Sequence, residues 1–282
     1  MRLTAIFLGF LALIAQPAVA AERNSLANQL QNQLSALVTT NSADVGVAAI
    51  DLRTGEIVSV RGTTRYPMAS TMKIAVAATY LSYVENGERS LDEAIAGRSA
   101  ASLMRAMMVK SDNHATDLLI RNLGGPRTIQ RWLDWHNVEG MRVDRNIAQL
   151  LRAKRNLYET VDSSTPLAMA TFLQRLDKGE LLKPWGRNYL VELMAQCQTG
   201  RNRMKSLLPA GSVAHKTGTL NGYTSDVGFV RLPDGRRVAI AIFARGGSNR
   251  PQAIAQTARA IYDGFIAVVG WPYNAASSLT RQ

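Results

Sequence analysis

The chain has 282 residues, is 46% hydrophobic and carries a formal net charge of +12 with a single cysteine. That length and apolar content suit one large globular domain or two small ones, and one cysteine excludes an internal disulfide framework. The basic balance favours anionic surfaces such as cell-envelope polymers. No basic segment interleaved with aromatics supports nucleic-acid binding, and His114, His136 and His215 show no metal-ligand spacing, so neither nucleic acid nor a metal or other cofactor is expected.

The first residues read as an export signal. Met1-Arg2 is followed by an apolar run from Leu3 to Ile14 and by Ala18-Val19-Ala20, a small-residue cleavage site. The run is too short to span a bilayer. Residues 1–20 are therefore assigned to a signal peptide, and the mature protein is expected outside the cytoplasm, periplasmic or secreted.

Leu26 to Leu37 has helical apolar spacing through Leu30 and Leu34. Val45 to Leu52 reads as a buried strand, Arg53-Thr54-Gly55-Glu56 as a turn and Ile57 to Val60 as the returning strand. From Ser70 to about Glu85 the period is helical, and helices with polar loops continue to about Leu193. Strand signals return at Thr224 to Leu232 and Arg237 to Ala244, around a Pro233-Asp234-Gly235 turn, before a closing helix at Ala253 to Ile266. Strands at both ends and helices between predict an α+β fold. Its antiparallel sheet comes from residues 21–65 and 200–282, and residues 66–199 form an inserted helical part.

Three short motifs can carry chemistry. Ser70-Thr71-Met72-Lys73 puts a hydroxyl and an amine three positions apart on one helix face, at a helix N-terminus that favours negative charge. A serine needs a base before it attacks a carbonyl, and a lysine whose pKa is lowered by burial and neighbouring cations can be that base. Ser111-Asp112-Asn113 offers a proton-relaying hydroxyl and an amide for hydrogen bonding, with Asp112 supporting the loop. Lys216-Thr217-Gly218-Thr219 on a strand edge can pair with an extended substrate and hold a carboxylate, with glycine keeping the approach open. There is no Gly-x-Ser-x-Gly around Ser70, which argues against an esterase triad. Cys197 has no partner visible in sequence and reads as a buried structural thiol.

Together and in this order, the motifs resemble the joint signature of class A β-lactamases and penicillin-binding proteins. The likeness extends over Tyr66 to Lys73, Met108 to Gly125, Asp162 to Pro166, Thr199-Gly200 and Leu208 to Lys216. It implies Ser70 as nucleophile, Lys73 as its base or proton partner, Ser111 as relay and Asn113 as a substrate contact. It further implies carboxylate recognition by Lys216 and Thr217, helped by Arg250, and an oxyanion hole from the backbone N–H groups of Ser70 and Thr219. Substrates would be β-lactams or cell-wall peptides ending in D-Ala-D-Ala; the oligomeric state is not legible.

Two departures stand out. The interval between Ser70 and Ser111 is shorter than in the β-lactamases, which predicts a more open cleft. The family's Ω loop carries Arg-x-Glu-x-x-x-Asn, with Glu and Asn holding the deacylating water. Aligned on Arg145, those positions are Ile147 and Leu151, an apolar pair expected to exclude water. Glu159 is expected to brace the loop. The resemblance therefore favours a penicillin-binding, D-alanyl-peptidase-like hydrolase with slow deacylation, and a competent class A β-lactamase is the alternative.

Overall fold

The computed structural model describes residues 27–154 and 156–278; residues 1–20, expected from sequence to be a signal peptide, lie outside them. A five-stranded antiparallel sheet runs in the order β2-β1-β9-β8-β7. Its strands are β1 (Asp44–Asp51), β2 (Ile57–Val60), β7 (Val213–Leu220), β8 (Tyr223–Arg231) and β9 (Arg237–Arg245). β1 pairs with β9 along its length, Val47 opposite Ile242, so early and late chain segments close one sheet. This is the α+β architecture expected from strands at both ends.

Both sheet faces are covered, and the period of a strand sorts the residues between them. Val47 and Ala49 of β1, with Ile240, Ile242 and Ala244 of β9, face α1 (27–39) and α10 (Arg250–Ser278). There Leu30, Leu34 and Val38 pack with Ile254, Ala258, Ile261 and Phe265. Ala48, Ile50, Ala239, Ala241 and Phe243 face the helical layer instead. Fully buried β-branched and small apolar residues are what a sheet covered on both faces requires.

The helical layer contains α2 (Lys73–Glu85), α3 (Ala100–Val109), α4 (Asn113–Asn122), α5 (Pro126–Trp135), α6 (Ile147–Arg152), α7 (Pro166–Lys178) and α8 (Pro184–Ala195), with a short α9 (Met204–Leu207) beyond. Two small ladders join its loops: β3 (Tyr66–Pro67) with β6 (Ser163–Ser164), and β4 (Ala94–Ile95) with β5 (Arg98–Ser99). α2 is buried nearly all round from Lys73 to Leu81, as befits a helix at the centre of its layer.

The structure revises two boundaries. The helix expected from Ser70 begins as a 3-10 turn, Ala69–Met72, and becomes an α-helix only at Lys73. The closing helix is longer than its apolar pattern suggested, running from Arg250 to Ser278. Among the described residues, no helix is long and apolar enough to cross a membrane.

Candidate active site

The three motifs converge where the helical layer meets β7. Ser70 sits half-buried on the 3-10 turn, and the preceding Ala69 has φ 49°. A non-glycine residue in the left-handed region is strained and persists only where its surroundings enforce it. Here Met68 N–H donates to the Asp162 carbonyl (2.9 Å), and both the Thr71 N–H (3.0 Å) and its hydroxyl (2.7 Å) donate back to the Met68 carbonyl. Ser111 is held in the same region at φ 58°, just before Asp112 caps α4 by accepting from Ala115 N–H at 2.7 Å.

Lys73 is fully buried, and its ammonium donates to Ser111 O (2.7 Å), Ser111 Oγ (3.2 Å) and Asn113 Oδ1 (2.8 Å). Lys216, also buried, donates to Ser111 Oγ (2.8 Å) and to the Thr217 carbonyl (3.1 Å). Ser111 thus bridges two lysines that lie far apart in sequence. Burial, then the charge of Lys216, lowers the Lys73 pKa to about 7 despite Asp112 and Asp117. Burial lowers Lys216 to about 8, with Cys197 and Asp226 opposing the shift. An amine with a pKa near 7 can take a proton at neutral pH.

β7 is the edge strand, so Lys216 to Thr219 lie on the free side of the sheet. Gly218 permits a close approach: a Cβ there would stand 2.8 Å from the Met68 carbonyl and 3.1 Å from the Ala69 side chain. The strand that carries Thr219 therefore packs directly against the Ser70 turn. Thr217 Oγ1 lies 2.5 Å from Thr199 Oγ1.

Arg203 is a residue that sequence reasoning missed. Buried beneath β7, it donates to Gly218 O (3.0 Å), Ser225 O (2.8 Å) and Thr219 Oγ1 (2.7 Å). Nothing in its local pattern distinguishes it from the many other arginines; only the fold turns it under the strand. Arg250, the basic residue named from sequence, donates to Gly246 O (2.9 Å) and Gly247 O (2.6 Å) in its own loop.

The loop from Arg145 to Asp162 is closed by charge. Buried Asp162 accepts from Asp144 N–H (2.8 Å), Arg145 N–H (3.0 Å) and Arg145 Nε (2.6 Å), while Arg145 also holds Glu159 Oε1 at 2.9 Å. The two apolar positions separate. Ile147 is buried in the main core, and Leu151 is 58% exposed, so the two side chains do not share one buried face. The cause is a contact between helices: Asp117 accepts from Ile147 N–H (2.7 Å) and Ala148 N–H (2.9 Å), which fixes the start of α6 against α4.

A strained turn carrying Ser70, a lysine of lowered pKa, a hydroxyl shared between two amines and an open strand edge are the parts that serine acyl transfer requires, here on an α+β scaffold. The profile of the β-lactamase enzyme family matches residues 29–265. A β-lactamase from Streptomyces fradiae is 32% identical over 232 residues, covering 74% of this chain and 75% of that protein. Beta-lactamase VEB-1 from Pseudomonas aeruginosa is 26% identical over 254 residues, covering 79% and 83%. An ancestral class A β-lactamase superposes with a TM-score of 0.79 at 31% identity, covering 84% of this chain and 100% of that one. The chain belongs to the class A β-lactamase family, and is with it an enzyme of the serine hydrolase class.

Proposed function

We propose that the protein is acylated at Ser70 by β-lactams and by peptides ending in D-Ala-D-Ala, and that it releases the β-lactam acyl group slowly. The observation that carries the acylation reading is the Lys73–Ser111–Lys216 network. In the step proposed, Ser70 Oγ attacks the carbonyl carbon and its proton passes to Lys73. The carbon–nitrogen bond then breaks, and Ser111 passes a proton to the departing nitrogen. The backbone N–H groups of Ser70 and Thr219 receive the developing oxyanion; one such donor contributes about 3 kcal/mol. Lys216 and Thr217 bind the substrate carboxylate, with Asn113 contacting its amide. Arg203 is placed better than Arg250 to add positive potential beneath that strand.

Slow release is supported by the loop. Hydrolysis needs a water and a base beside the ester, and a base contributes roughly 10²–10⁴-fold. Ile147 and Leu151 cannot supply one, and the Glu159 carboxylate is paired with Arg145. The second reading, a β-lactamase with rapid turnover, is favoured by the names of the relatives: VEB-1 and the Streptomyces fradiae protein are both β-lactamases.

Intact-protein mass spectrometry of the enzyme mixed with penicillin, followed over time, separates the readings. A stable adduct that is absent from Ser70→Ala supports slow deacylation. Fast consumption of penicillin without accumulation of adduct supports the β-lactamase reading. Equal labelling of Ser70→Ala would remove Ser70 from the mechanism.

A further inference from the structure

Close to Lys216 lies a second cluster that the acyl-transfer chemistry does not use. Residues distant in sequence form it: Cys197 after α8, His215 on β7 and Asp226 on β8. His215 and Asp226 are fully buried, with His215 Nδ1 2.7 Å from Asp226 Oδ1. The other Asp226 oxygen accepts from Met204 N–H at 3.2 Å. His215 Nε2 is buried without a hydrogen-bond partner, and His215 lies close enough to Cys197 for each to influence the other's proton affinity. The Cys197 Sγ lies 3.3 Å from Thr199 Oγ1, which is itself 2.5 Å from Thr217 Oγ1. A continuous polar chain therefore joins Cys197, Thr199 and Thr217, beside the buried His215–Asp226 pair.

The electrostatics agree with this geometry. Burial disfavours the thiolate, but His215, Lys216 and Thr199 outweigh it and lower the Cys197 pKa to about 6. Burial likewise opposes an imidazolium, but Asp226 and Cys197 raise His215 to about 9. Other charged groups facing the cluster are Arg203 and Lys205, the latter donating to the Cys197 carbonyl at 2.7 Å. Thiolate paired with imidazolium, oriented by a carboxylate, is the arrangement that makes a cysteine reactive. The pair is too deeply enclosed to meet a peptide. A water-sized reagent is different: a surface cavity of about 430 Å³, walled by Ala195, Arg201, Lys205 and Val213, borders the segment.

We propose that Cys197 is an oxidation site for small hydroperoxides and that its oxidation disables substrate binding at Thr217. The thiolate sulfur attacks one peroxide oxygen. A sulfur–oxygen bond forms as the oxygen–oxygen bond breaks, and sulfur gives up an electron pair. The leaving oxygen takes the proton of the His215 imidazolium and departs as water or an alcohol, and the product is a sulfenic acid that a thiol reductant reverses. Cys197 is only 4% exposed and its sulfur lies 3.3 Å from Thr199 Oγ1, so the added oxygen crowds Thr199 in a close-packed interior. Thr199, whose Oγ1 is 2.5 Å from Thr217 Oγ1, carries the displacement to Thr217.

The effect on binding rests on the acylation reading; formation of the adduct does not. The test treats the full-length enzyme with hydrogen peroxide and traps the sulfenic acid with dimedone. It maps the adduct by mass spectrometry and measures fluorescent-penicillin labelling before and after a thiol reductant. The expected result is an adduct on Cys197, a loss of labelling rate of about tenfold or more, corresponding to about 1.4 kcal/mol of lost interaction, and recovery on reduction. Cys197→Ser should label with or without peroxide, which separates this effect from methionine oxidation. In the wild type, adduct formation should level off near neutral pH, because the thiol is ionised above about 6. The proposal is overturned by any of four results: no adduct on Cys197, an adduct that leaves labelling unchanged, equal loss in Cys197→Ser, or a rate still climbing through the ordinary thiol range near about 8.5. If no penicillin labels the untreated enzyme, the acylation reading fails, while the dimedone map and pH profile still decide whether Cys197 is the oxidation site.

Discussion

Replacing Lys216 with alanine removes a cation that shares Ser111 Oγ with Lys73, at 2.8 Å and 3.2 Å respectively. The two amines are therefore no more than about 6 Å apart, and at an effective dielectric of about 20 their repulsion is about 3 kcal/mol. One pH unit is about 1.4 kcal/mol, so at a separation of about 6 Å Lys216 contributes about two pH units. Burial is the larger cause of the low Lys73 pKa and stays in place in the variant. The midpoint for Lys73 should rise from about 7 in the wild type by roughly one to two pH units in Lys216→Ala. The sign follows from the protonation state. Protonated Lys73 cannot accept the Ser70 proton, so acylation is slow below the midpoint and reaches a plateau above it. Stopped-flow acylation, with the rate constant at saturation measured from pH 5 to about 10, reads the midpoint separately from the loss of carboxylate affinity. An uncharged ester substrate should show the same shift while losing less affinity. A midpoint that stays put in Lys216→Ala would refute Lys73 as the base tuned by Lys216.

Glu159→Gln should change the lifetime of the penicillin adduct by less than about twofold, since Arg145 already holds that carboxylate; accumulation of adduct in time-resolved mass spectra would make Glu159 the deacylating base. Asp162→Ala leaves Arg145 and two backbone N–H groups without their acceptor, and should cost about 3 kcal/mol in urea denaturation. Gly218→Ala drives a Cβ against the Met68 carbonyl and the Ser225 hydroxyl, so it should slow acylation by about tenfold or more, with a smaller effect on Tm. Ile147→Glu buries a carboxylate in the main core and should lower stability by several kcal/mol, seen as a clear drop in Tm, instead of supplying a deacylating base.

Much of this protein is determined locally and can be read from sequence. The apolar runs of β1 and β9, the helical stripe of α1 and the turns at Asp51–Glu56 and Leu232–Arg236 follow from the next few residues along the chain, and they predict the α+β class. The Ser70-to-Lys73 spacing and the strand character of Lys216 to Thr219 are local in the same sense. Tertiary structure decides what depends on contacts between distant segments. A helix can begin as a 3-10 turn when a long-range bond such as Met68 N–H to Asp162 O fixes its entry. Ile147 turns inward and Leu151 outward because Asp117, from another helix, holds the start of α6; hydropathy alone treats the two alike. Arg203 looks like a surface arginine until Gly218 O, Thr219 and Ser225 O surround it. Cys197 has no partner along the chain, and acquires His215 and Asp226 only when β7 and β8 pair and α8 packs beside them. The physical reason is common to these cases: periodicity reports which face of an element is buried, while the burial, charge and hydrogen-bond partners of one polar group are set by whichever segment the fold brings against it.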